Sequence, residues 1–408
     1  MSDHVPPKAW ATLALLTTIY AFNFLDRTLI YILFAPIRKD MELTDLQLAL
    51  LGTTSFVMFY TLLGVPFGRL ADRVRRRWLI AAGLSLWSVA SGLSGFATGF
   101  WSLFLCRVLV GVGEATLAPA ATSLIAELFP ASRRATAQSL YSSGIPLGAA
   151  GAFFFGGWIA ENFGWRTAFM ALGFPGLLLA LAVLFVPEDD ARVVKATAPV
   201  PVQWGDLLGR IRTPVAGYAV FAVAANSLSI WVPSTWLHRV HGFGLAETGQ
   251  LAGLAMLTTG AVGTAAGGSL ADAWQRRVRG GRMRTTSVLA MLCAPAWIGL
   301  LYGPTPVAVA CYFALAGLGL AWLGPAAADV QDLVGPERRG VGIAAYVLVV
   351  NIVGYGIAPP TMGWISDQLG TADDPLRMAW VLLICPMCCI AASAILWLGA
   401  LQQQAAEA

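Results

Sequence analysis

Long apolar segments separated by short polar ones run along almost the whole chain. The hydrocarbon core of a bilayer takes about 20 apolar residues of helix, so segments of this length predict membrane-spanning helices. A helix also pairs its own backbone amides and carbonyls, which a bilayer demands. The pattern therefore predicts an all-α membrane protein with twelve transmembrane helices, at about residues 10–35, 47–70, 77–98, 100–122, 136–160, 167–187, 214–237, 246–271, 284–303, 306–330, 341–366 and 378–400.

Two polar regions set the boundaries of this pattern. Met1 to Trp10 has no strongly basic region and no small-residue cleavage site follows it, so we expect the first apolar segment to be retained rather than removed as a signal peptide. The longest polar stretch, from Glu188 to Thr213, divides the predicted helices six from six. We therefore predict an N-terminal half at 1–187, a cytoplasmic linker at 188–213 and a C-terminal half at 214–408.

Composition narrows the class of protein further. Apolar residues make up 57% of the chain and charged residues 12%, against about 45–50% and about 25% in soluble globular proteins. A soluble chain of this length could not bury so much apolar surface. The formal net charge of +4 is modest, and most of the basic residues lie in loops. Secretion, disorder and nucleic-acid binding are all disfavoured.

The basic residues also indicate orientation, because cytoplasmic loops of membrane proteins are enriched in Lys and Arg. With the N-terminus inside, most basic residues fall on inner segments, in clusters at 69–77, 192–212 and 276–284. The outer segments hold only Arg38, Lys39, Arg166, Arg239 and Arg377. We therefore expect a multi-pass protein of the cell (inner) membrane with both termini in the cytoplasm and the lipid bilayer as its surroundings.

The two halves resemble each other at a spacing near 200 residues. Four short patterns recur in the same order, which argues for duplication. The pairs are Gly68-Arg-Leu-Ala-Asp72 with Gly268-Ser-Leu-Ala-Asp272, Gly111-Val-Gly113 with Gly317-Leu-Gly319, Glu127 and Arg133-Arg134 with Asp332 and Arg338-Arg339, and Gly157-Trp158-Ile159 with Gly363-Trp364-Ile365. Two pseudo-symmetric six-helix halves are a transporter architecture, in which the substrate lies between the halves near the bilayer midplane.

Particular motifs resemble a known family. Gly68-Arg-Leu-Ala-Asp72-Arg73-Val-Arg75-Arg76-Arg77 resembles the signature loop of the major facilitator superfamily, with Arg75 where a glycine is usual. Arg107-Val-Leu-Val-Gly111-Val-Gly113 resembles its fourth-helix motif. Asn23-Phe-Leu-Asp26-Arg27, together with Gly113-Glu114-Ala115, resembles the Spinster branch, which includes lysolipid and sphingosine-phosphate exporters. The resemblance implies the twelve-helix facilitator fold, secondary transport by alternating access, a lysolipid-like or sphingolipid-like substrate and a monomeric protein.

Four ionisable residues fall inside the predicted spans: Asp26, Arg27, Arg107 and Glu114. Each costs about 2.5–3.5 kcal/mol at the centre of a membrane helix, so these residues must face a cavity or one another. At about 1.5 Å of rise per residue, Asp26 and Arg107 lie at similar depths, and Glu114 lies about 10 Å deeper than Arg107. We therefore hypothesise that Asp26 pairs with Arg107 across the cavity and that Glu114 stands alone near the midplane.

These four residues are the candidate site. Burial penalises a charged carboxylate, so Glu114 is the first candidate for the proton carrier, and Asp26, beside an arginine, is the second. Arg107 and Arg27 are candidate grips for an anion, because a guanidinium is permanently charged and can bind a carboxylate or phosphate with two hydrogen bonds. The resemblance implies the same proton-coupling and substrate-binding roles. The alternative is that the four residues only lock the helices together.

Aromatic residues could line an amphipathic cavity, and we select Trp322 and Tyr355 as candidate substrate contacts. Interfacial belts in membranes account for many such residues, so that alternative stays open. Asp329, near the inner end of the tenth span, is interpreted as a cytoplasmic gate residue or as wetted surface rather than a substrate contact.

The resemblance also implies a cytoplasmic gate, in which the aspartates of the two signature loops pair with nearby arginines and a helix N-terminus. A carboxylate favours a helix N-terminus, so the chemistry is reasonable. Anchoring by positive charge on the inner side is the alternative for the arginines. The candidate gate residues are Gly68, Asp72, Arg73, Arg76, Asp272, Arg133, Arg134 and Arg338, with Arg339 as a further possible partner.

Other classes of function are disfavoured. No phosphate-binding Gly-Lys-Ser/Thr loop occurs, and no metal site or Ser/His/Asp set can be assembled from three histidines. We therefore expect no metal, no cofactor besides protons as the coupling ion, and no enzymatic activity. The sequence predicts a secondary active transporter of a small amphipathic anion. A transporter of organic acids, sugars or drugs and a non-transporting membrane receptor remain as alternatives.

Overall fold

The computed structural model describes residues 5–71, 73–186, 188, 204–334 and 339–405. Helices form nearly all of this part of the chain, and it contains no β-strand. The described residues of the first half form six long helices, several of them in two or three parts. These are α1 (Pro7–Ile32), α2 (Asp45–Ala49, Leu50–Thr54 and Ser55–Ala71), α3 (Arg76–Ser94), α4 (Phe100–Glu114 and Leu117–Leu128), α5 (Ala131–Ser142 and Gly144–Phe163) and α6 (Trp165–Gly173 and Gly176–Val183).

The described residues of the second half form six more. These are α7 (Trp204–Ile230 and Val232–Val240), α8 (Leu245–Ala255, Met256–Gly260 and Ala261–Gln275), α9 (Gly281–Tyr302), α10 (Thr305–Leu320 and Leu323–Val334), α11 (Arg339–Asn351, Ile352–Ile357 and Ala358–Gln368) and α12 (Met378–Leu382 and Ile384–Ala405). Every predicted span overlaps one of the twelve helices. A short additional helix, Phe34–Met41, follows α1.

Eleven helices of the described chain are long and apolar enough to cross a membrane. The predicted third span corresponds to α3, which is helical over 19 residues but is not among these eleven. Arg77 and four serines lower its hydropathy, and three of those serines, at positions 88, 91 and 94, are fully buried. A helix covered by its neighbours does not need a fully apolar surface. The predicted all-α membrane fold is confirmed.

The internal repeat appears in the breaks of α4 and α10. The first part of α4 ends at Glu114 and the second begins at Leu117. The first part of α10 ends at Leu320 and the second begins at Leu323, 206 positions later in both cases. Each break follows a Gly-x-Gly sequence and precedes a proline, Pro119 or Pro325, which cannot donate a helical hydrogen bond.

The predicted linker, 188–213, is described only in part. Glu188 is placed, residues 189–203 lie outside the described residues, and α7 begins at Trp204. The seventh helix therefore begins earlier than the apolar pattern alone suggested. Its first turns contain Asp206, Arg210 and Arg212 among apolar residues, and the helix continues through Pro214 without ending there.

Contacts between residues divide the chain into two units. Unit 1 takes in the described residues of Met1–Leu43, Gln47–Ala198 and Gly244–Gly253, and unit 2 those of Thr44–Leu46, Pro199–Phe243 and Leu254–Ala408. Two short segments thus belong to a unit other than the one that holds their neighbours in sequence. Thr44–Leu46 includes the start of α2 but lies in unit 2, and Gly244–Gly253 includes the start of α8 but lies in unit 1.

Within unit 1, α1 packs along the length of α5, and α4 packs against α2 and α3. Small residues bring α1 and α5 together, as is usual for helices inside a membrane. A Cβ atom at Gly148 would overlap the carbonyl oxygen of Ala21, and one at Gly144 would lie 2.9 Å from the carbonyl oxygen of Thr17. The contact between α1 and α5 therefore depends on glycine on the α5 side.

Within unit 2, α12 packs against both α7 and α9, and α9 packs against α10. The interior of the unit is mostly apolar and aromatic, with Trp231, Trp236 and Trp297 almost fully buried. Polar side chains in it are hydrogen-bonded across helices: Ser287 of α9 donates to the carbonyl oxygen of Ser393 on α12 over 2.7 Å. Buried polar groups of a membrane protein need such partners.

Candidate functional site

The four charged residues predicted inside the spans lie together in unit 1, on α1 and on the first part of α4. Asp26, Arg107 and Glu114 are almost completely buried, with relative exposures of 0%, 0% and 1%. The Arg27 side chain keeps 19% of its surface exposed. Arg27 is therefore the member of the cluster that a solute can reach most readily.

The pairing within this cluster differs from the hypothesis drawn from helix depth. Glu114 does not stand alone, because its Oε2 accepts hydrogen bonds from Arg27 Nη2 at 3.0 Å and from Nε at 3.3 Å. Asp26 does not form the predicted ion pair with Arg107. Arg107 Nη2 instead donates to the backbone carbonyl of Asp26 over 3.3 Å. Arg107 thus reaches the backbone at Asp26, but rise along a helix cannot say which atoms meet.

The carboxylate of Asp26 is held by a residue that the sequence analysis did not select. Ser91, on α3, donates to Asp26 Oδ1 over 2.8 Å. The serines of α3 at positions 88, 91 and 94 follow a helical spacing on an otherwise apolar segment, which is the signal that could have identified it. A hydroxyl supplies a hydrogen bond without a compensating positive charge.

Three aromatic rings surround the guanidinium of Arg27. The guanidinium carbon lies 4.7 Å from the ring centre of Phe24, 4.4 Å from that of Phe56 and 4.8 Å from that of Tyr60. Phe24 is on α1, and the other two are one turn apart on α2, where their rings stack 5.3 Å apart. Contacts of this kind favour a cation over a ring face and add to the ion pair with Glu114.

We call Arg27 and the rings of Phe24, Phe56 and Tyr60 the Arg27 cage. The glycines before Glu114 allow the helices around this cage to pack closely. A Cβ atom at Gly111 would lie 2.7 Å from the carbonyl oxygen of Phe56, and one at Gly113 would lie 2.7 Å from that of Gly83. Gly111 therefore lets α4 approach the α2 backbone at the cage residue Phe56, and Gly113 lets α4 approach α3. The Gly-x-Gly motif thus places Glu114 in the same helical turns that contact the Arg27 cage.

Several buried polar atoms of the cluster have no hydrogen-bond partner in the described structure. They are Asp26 Oδ2, Arg107 Nε and Nη1, and Glu114 Oε1. Buried polar atoms are nearly always hydrogen-bonded, so these atoms need partners that the described side chains do not supply.

The two predicted aromatic contacts lie in unit 2. Trp322 is 2% exposed, stacks with Tyr218 at 6.0 Å and donates to the carbonyl oxygen of Gly319 over 2.9 Å. It is therefore packed inside the unit. Tyr355 lies in the π-helical part of α11 and is partly exposed.

Asp329 is not wetted surface, because only 2% of it is exposed. The Tyr218 hydroxyl donates to Asp329 Oδ2 over 2.8 Å. The sequence analysis placed Asp329 near the inner end of α10 but could not see its partner on α7. Tyrosine and aspartate 111 positions apart carry no sequence signal that connects them.

Of the predicted gate residues in unit 1, Arg76 has acidic partners in the structure. Arg76 is buried and pairs with Glu127 at 2.6 Å and with Glu188 at 3.1 Å, and it also donates to Ser123. The carboxylate of Glu188 accepts from the backbone amide of Arg76 at the start of α3, where a negative charge is favourable. Arg76 is thus held by acids of α4 and of the segment after α6.

The other gate candidates of this unit are more exposed. Arg73 and Arg133 are exposed, and Arg134 donates to the carbonyl oxygen of Ala126 over 2.8 Å. Gly68 is half-buried, and a Cβ atom there would lie 4.0 Å from the Cβ atom of Pro119 on α4. Asp72 and Arg338 lie outside the described residues, so the predicted pairing of Asp72 stays a prediction.

Asp272 has a partner that the sequence analysis did not name. Arg282, at the start of α9, binds Asp272 at 2.9 Å and also pairs with Asp332. Arg282 follows Arg76 by 206 positions, and Asp332 follows Glu127 by 205, so the internal repeat contains the signal for both. Each unit therefore holds an arginine at a helix start against an acid at the end of α4 or α10.

No group of three or more His, Cys, Asp and Glu side chains suited to a metal ion occurs among the described residues. The chemistry that the cluster in unit 1 can perform is exchange of protons and of ion-pair partners. A carboxylate can bind a proton, and an arginine can pass from one anion to another.

Comparison with known proteins agrees with this geometry. The sequence pattern of the Major Facilitator Superfamily matches residues 16–359. A protein of Mycolicibacterium smegmatis described as an MFS-type efflux pump is 32% identical over 94% of this chain and 91% of its own length. Human protein spinster homolog 1 is 27% identical over 89% of this chain and 74% of its own.

Solved structures show the same fold. A bacterial homolog of the human lysosomal transporter Spinster, in an inward-facing and occupied conformation, superposes with a TM-score of 0.81 at 25% identity and covers 99% of this chain and 98% of its own. A D-xylose–proton symporter superposes with a TM-score of 0.73 at 16% identity and covers 95% of this chain and 97% of its own. The second likeness concerns the fold alone.

Proposed function

Because this chain belongs to the Spinster branch of the major facilitator superfamily, we propose that it is a proton-coupled secondary active transporter of a small amphipathic anion. Family membership makes it a multi-pass membrane transporter. The coupling ion and the substrate class are the proposal. The observation that carries both is the ion pair between Glu114 and Arg27, in which the arginine is partly exposed and the acid is buried.

The substrate anion and the Glu114 carboxylate compete for one guanidinium. Arg27 gives two hydrogen bonds to one oxygen of Glu114, and the same two N–H groups can bind a phosphate or carboxylate head group. A proton on Glu114 removes its negative charge and frees Arg27 for the head group. The aromatic rings around Arg27 hold the guanidinium in place in both cases. Binding of the anion and binding of the proton therefore favour each other.

Asp26 and Arg107 are a second acid and arginine in the proposed mechanism, and both are fully buried. Asp26 Oδ2 and Arg107 Nε and Nη1 have no hydrogen-bond partners among the described residues. Asp26 can accept a second proton, and Arg107 can attract the anion once Arg27 is free of Glu114. A ligand drives such a change only through a difference in affinity between the two states. A membrane potential of about 100 mV supplies about 2.3 kcal/mol for each proton moved, so no ATP-hydrolysing module is required.

The amphipathic character of the proposed substrate rests on the surroundings of Arg27. Phe24, Phe56 and Tyr60 give an apolar wall around a cationic centre, which suits a charged head group with an apolar tail attached. The similarity to Spinster proteins supports a lysolipid-like or sphingolipid-like molecule. We further propose an inner-membrane location with both termini in the cytoplasm, from the distribution of basic residues, and a monomeric transporter.

The test uses purified protein in sealed liposomes that contain a pH-reporting dye. Lysophosphatidic acid, a monosaccharide, a dicarboxylic acid and a cationic drug are added separately. We expect proton movement with the anionic amphiphile only, and we expect it to be lost in Glu114→Gln while radiolabelled substrate still binds. Glu247→Gln, an exposed acid at the start of α8, serves as the matched control and should behave like wild type.

Three other results would change the proposed substrate, the proposed coupling or the role of Glu114. Proton movement with sugar or dicarboxylate would keep the transporter and discard the amphipathic substrate. Substrate flux without proton movement in the wild type would show a uniporter. Full proton coupling in Glu114→Gln would contradict the role of Glu114.

Export of drugs is the second candidate function. The similarity to a protein described as an efflux pump supports it, and a buried acid among aromatic rings suits a cationic drug. In that case the drug would take the place of Arg27 beside Glu114. Removal of Arg27 would then leave cationic substrates transported, whereas it would abolish transport of an anion.

A further inference from the structure

Asp329 is a buried acid that the proposed mechanism does not use. It lies on the second part of α10, in unit 2, and only 2% of its surface is exposed. The cluster of Asp26, Arg27, Arg107 and Glu114 belongs to unit 1. An ionisable residue buried in a membrane-spanning helix is costly and commonly marks a path for protons, ions or substrate. The surroundings of Asp329 therefore deserve a functional reading of their own.

The hydrogen bond that holds Asp329 comes from a neutral group. The Tyr218 hydroxyl, on α7, donates to Asp329 Oδ2 over 2.8 Å. The Tyr218 side chain is fully buried, and its ring is fixed between Trp322, which stacks on it at 6.0 Å, and Tyr346, whose ring centre lies 6.1 Å away. A phenol hydroxyl can donate to a carboxylate or to the C=O group of a protonated acid, so this contact accommodates either state of Asp329.

The arginine that acts on Asp329 is bound to other acids. Arg282, on α9, attracts Asp329 electrostatically, but its guanidinium binds Asp272 at 2.9 Å and also pairs with Asp332. Among the described residues, no ion pair joins Arg282 to Asp329. Two negative charges already face one positive charge at this place. An ionised Asp329 would add a third negative charge without a cation of its own.

The other helices around Asp329 bring no further positive charge from their described residues. Helices α7, α8, α9 and α11 all pack against the second part of α10. The titratable or charged groups that meet Asp329 or its partners are Tyr218 from α7, Asp272 from α8, Arg282 from α9, Tyr346 from α11 and Asp332 from α10 itself. Burial penalises the charged form of a carboxyl group, and an arginine shared by two other acids does not offset that cost. A proton on Asp329 removes it.

The internal repeat shows that packing at this position does not require an acid. Asp329 follows Ser123 of α4 by 206 positions, as Arg282 follows Arg76. In unit 1, Arg76 Nη1 donates directly to the Ser123 hydroxyl over 3.1 Å. A neutral serine is therefore sufficient where an arginine binds this position. Unit 2 has an acid there instead, and Tyr218 rather than the arginine binds it.

We propose that Asp329 is a proton-binding site of unit 2, separate from the cluster around Glu114, and that Tyr218 is its positioning residue. With the proton bound, the acid is neutral and the Tyr218 hydroxyl donates to its C=O group. Without the proton, the same hydroxyl donates to a carboxylate, which is the stronger bond. Release of the proton therefore tightens the contact between α7 and the second part of α10. The ligand is the proton alone, so the site does not depend on the proposed substrate.

Infrared spectroscopy of the full-length protein in lipid nanodiscs tests the proposal without any substrate. The measured quantity is the C=O stretching band of protonated carboxyl groups, which an ionised carboxylate does not give. At about pH 6 an exposed aspartate, with an ordinary pKa of about 3.9, is almost fully ionised. We expect the wild-type band at this pH to lose the area of one carboxyl group in Asp329→Asn. Tyr218→Phe should keep that area and move the Asp329 component to higher frequency, because its C=O group loses a hydrogen bond.

Asp374→Asn is the matched control, because Asp374 is an exposed acid that pairs with Arg377. Its band should equal that of the wild type. Asp329→Ser, which copies the residue of unit 1, replaces Asp329→Asn if that variant does not fold. Equal band areas in the wild type and in the Asp329 variant would overturn the proton-binding site. An unmoved Asp329 component in Tyr218→Phe would overturn the positioning role of Tyr218.

Failure of this site and failure of the proposed transport mechanism give different results. Substrate movement without protons, in a protein that keeps the Asp329 component of the band, would contradict the proposed coupling and support the site. Proton-coupled transport in a protein whose band does not change in the Asp329 variant would contradict the site and leave the coupling intact.

Discussion

Glu114 Oε2 lies 3.0 Å from Arg27 Nη2 across helices whose residues are 87 positions apart, and three aromatic rings enclose the arginine. Lysine at position 27 would keep the charge but lose the planar group that lies against the rings and gives two hydrogen bonds. We therefore expect Arg27→Lys to reduce kcat/KM for the anionic substrate by about tenfold or more. Uptake of radiolabelled substrate into proteoliposomes measures it.

Arg166→Lys is the control for this change. Arg166 also lies over an aromatic ring, that of Trp165, and pairs with an acid, Asp40, but it is outside the cluster of unit 1. Its replacement should leave transport unchanged. Equal effects of the two substitutions would show that the loss at position 27 is a general effect of removing an arginine.

The buried charge of Arg107 should lower the stability of the folded protein, although transport requires it. It is fully buried, and two of its nitrogens lack partners in the described structure. Desolvation of a buried charge costs several kcal/mol, and an apolar side chain of similar size avoids that cost. We expect Arg107→Met to unfold at the same or a higher temperature in detergent and to lose transport.

Arg76→Met should behave in the opposite way. Arg76 is also buried, but it forms ion pairs with Glu127 and Glu188. Its removal leaves two acids without their partner, so the unfolding temperature should fall. A fall for Arg107→Met as large as that for Arg76→Met would contradict the distinction.

The glycines of α4 should tolerate no side chain. A methyl group at Gly113 would meet the carbonyl oxygen of Gly83 at 2.7 Å, and overpacking of this kind costs about 1–3 kcal/mol. Gly113→Ala should therefore lower the unfolding temperature in detergent. Gly64→Ala on α2 is the control, because a Cβ atom there meets nothing within 4 Å. An unchanged unfolding temperature in Gly113→Ala would mean that α3 and α4 can separate freely.

The hydrogen bond from Tyr218 to Asp329 should stabilise unit 2. Loss of a donor to a buried acid costs about 1–3 kcal/mol, so Tyr218→Phe should lower the unfolding temperature. Tyr312→Phe, another buried tyrosine, is the control. In the double variant Tyr218→Phe/Asp329→Asn, the two losses should be less than additive, and simple additivity would show that the two groups do not interact.

The sequence predicts the fold well because the bilayer allows few solutions. Span length, the internal repeat and the signature motifs each indicate the same twelve helices, and the structure agrees even at α3, whose serines face its neighbours. The internal repeat also predicts local features, not only the order of the helices. The breaks after Glu114 and Leu320 and the arginines at positions 76 and 282 follow its spacing.

The partners within the candidate site could not be predicted in the same way. The rise per residue predicts that Asp26 and Arg107 lie at the same level. Which atoms face each other also depends on the rotation of each helix about its axis. The ion pair in the structure therefore joins Glu114 to Arg27, and Arg107 binds only the backbone of Asp26. The serine spacing on α3 marks Ser91 as a buried polar residue but does not say that it binds Asp26, and the hydrogen bond from Tyr218 to Asp329 leaves no spacing in the sequence at all. Such contacts depend on tertiary packing alone.

The contact between α1 and α5, called the seam here, connects the helix that carries Arg27 with the helix that reaches the start of α8. Gly148 brings the α5 backbone against Ala21 of α1, six residues before Arg27. Near its other end, the same helix carries Glu161, which binds the amide of Ala246. A displacement of α1 that keeps this seam carries α5 with it, as one end of a rigid rod moves the other. Any such movement near Arg27 would therefore reach the start of α8 through one helix, α5.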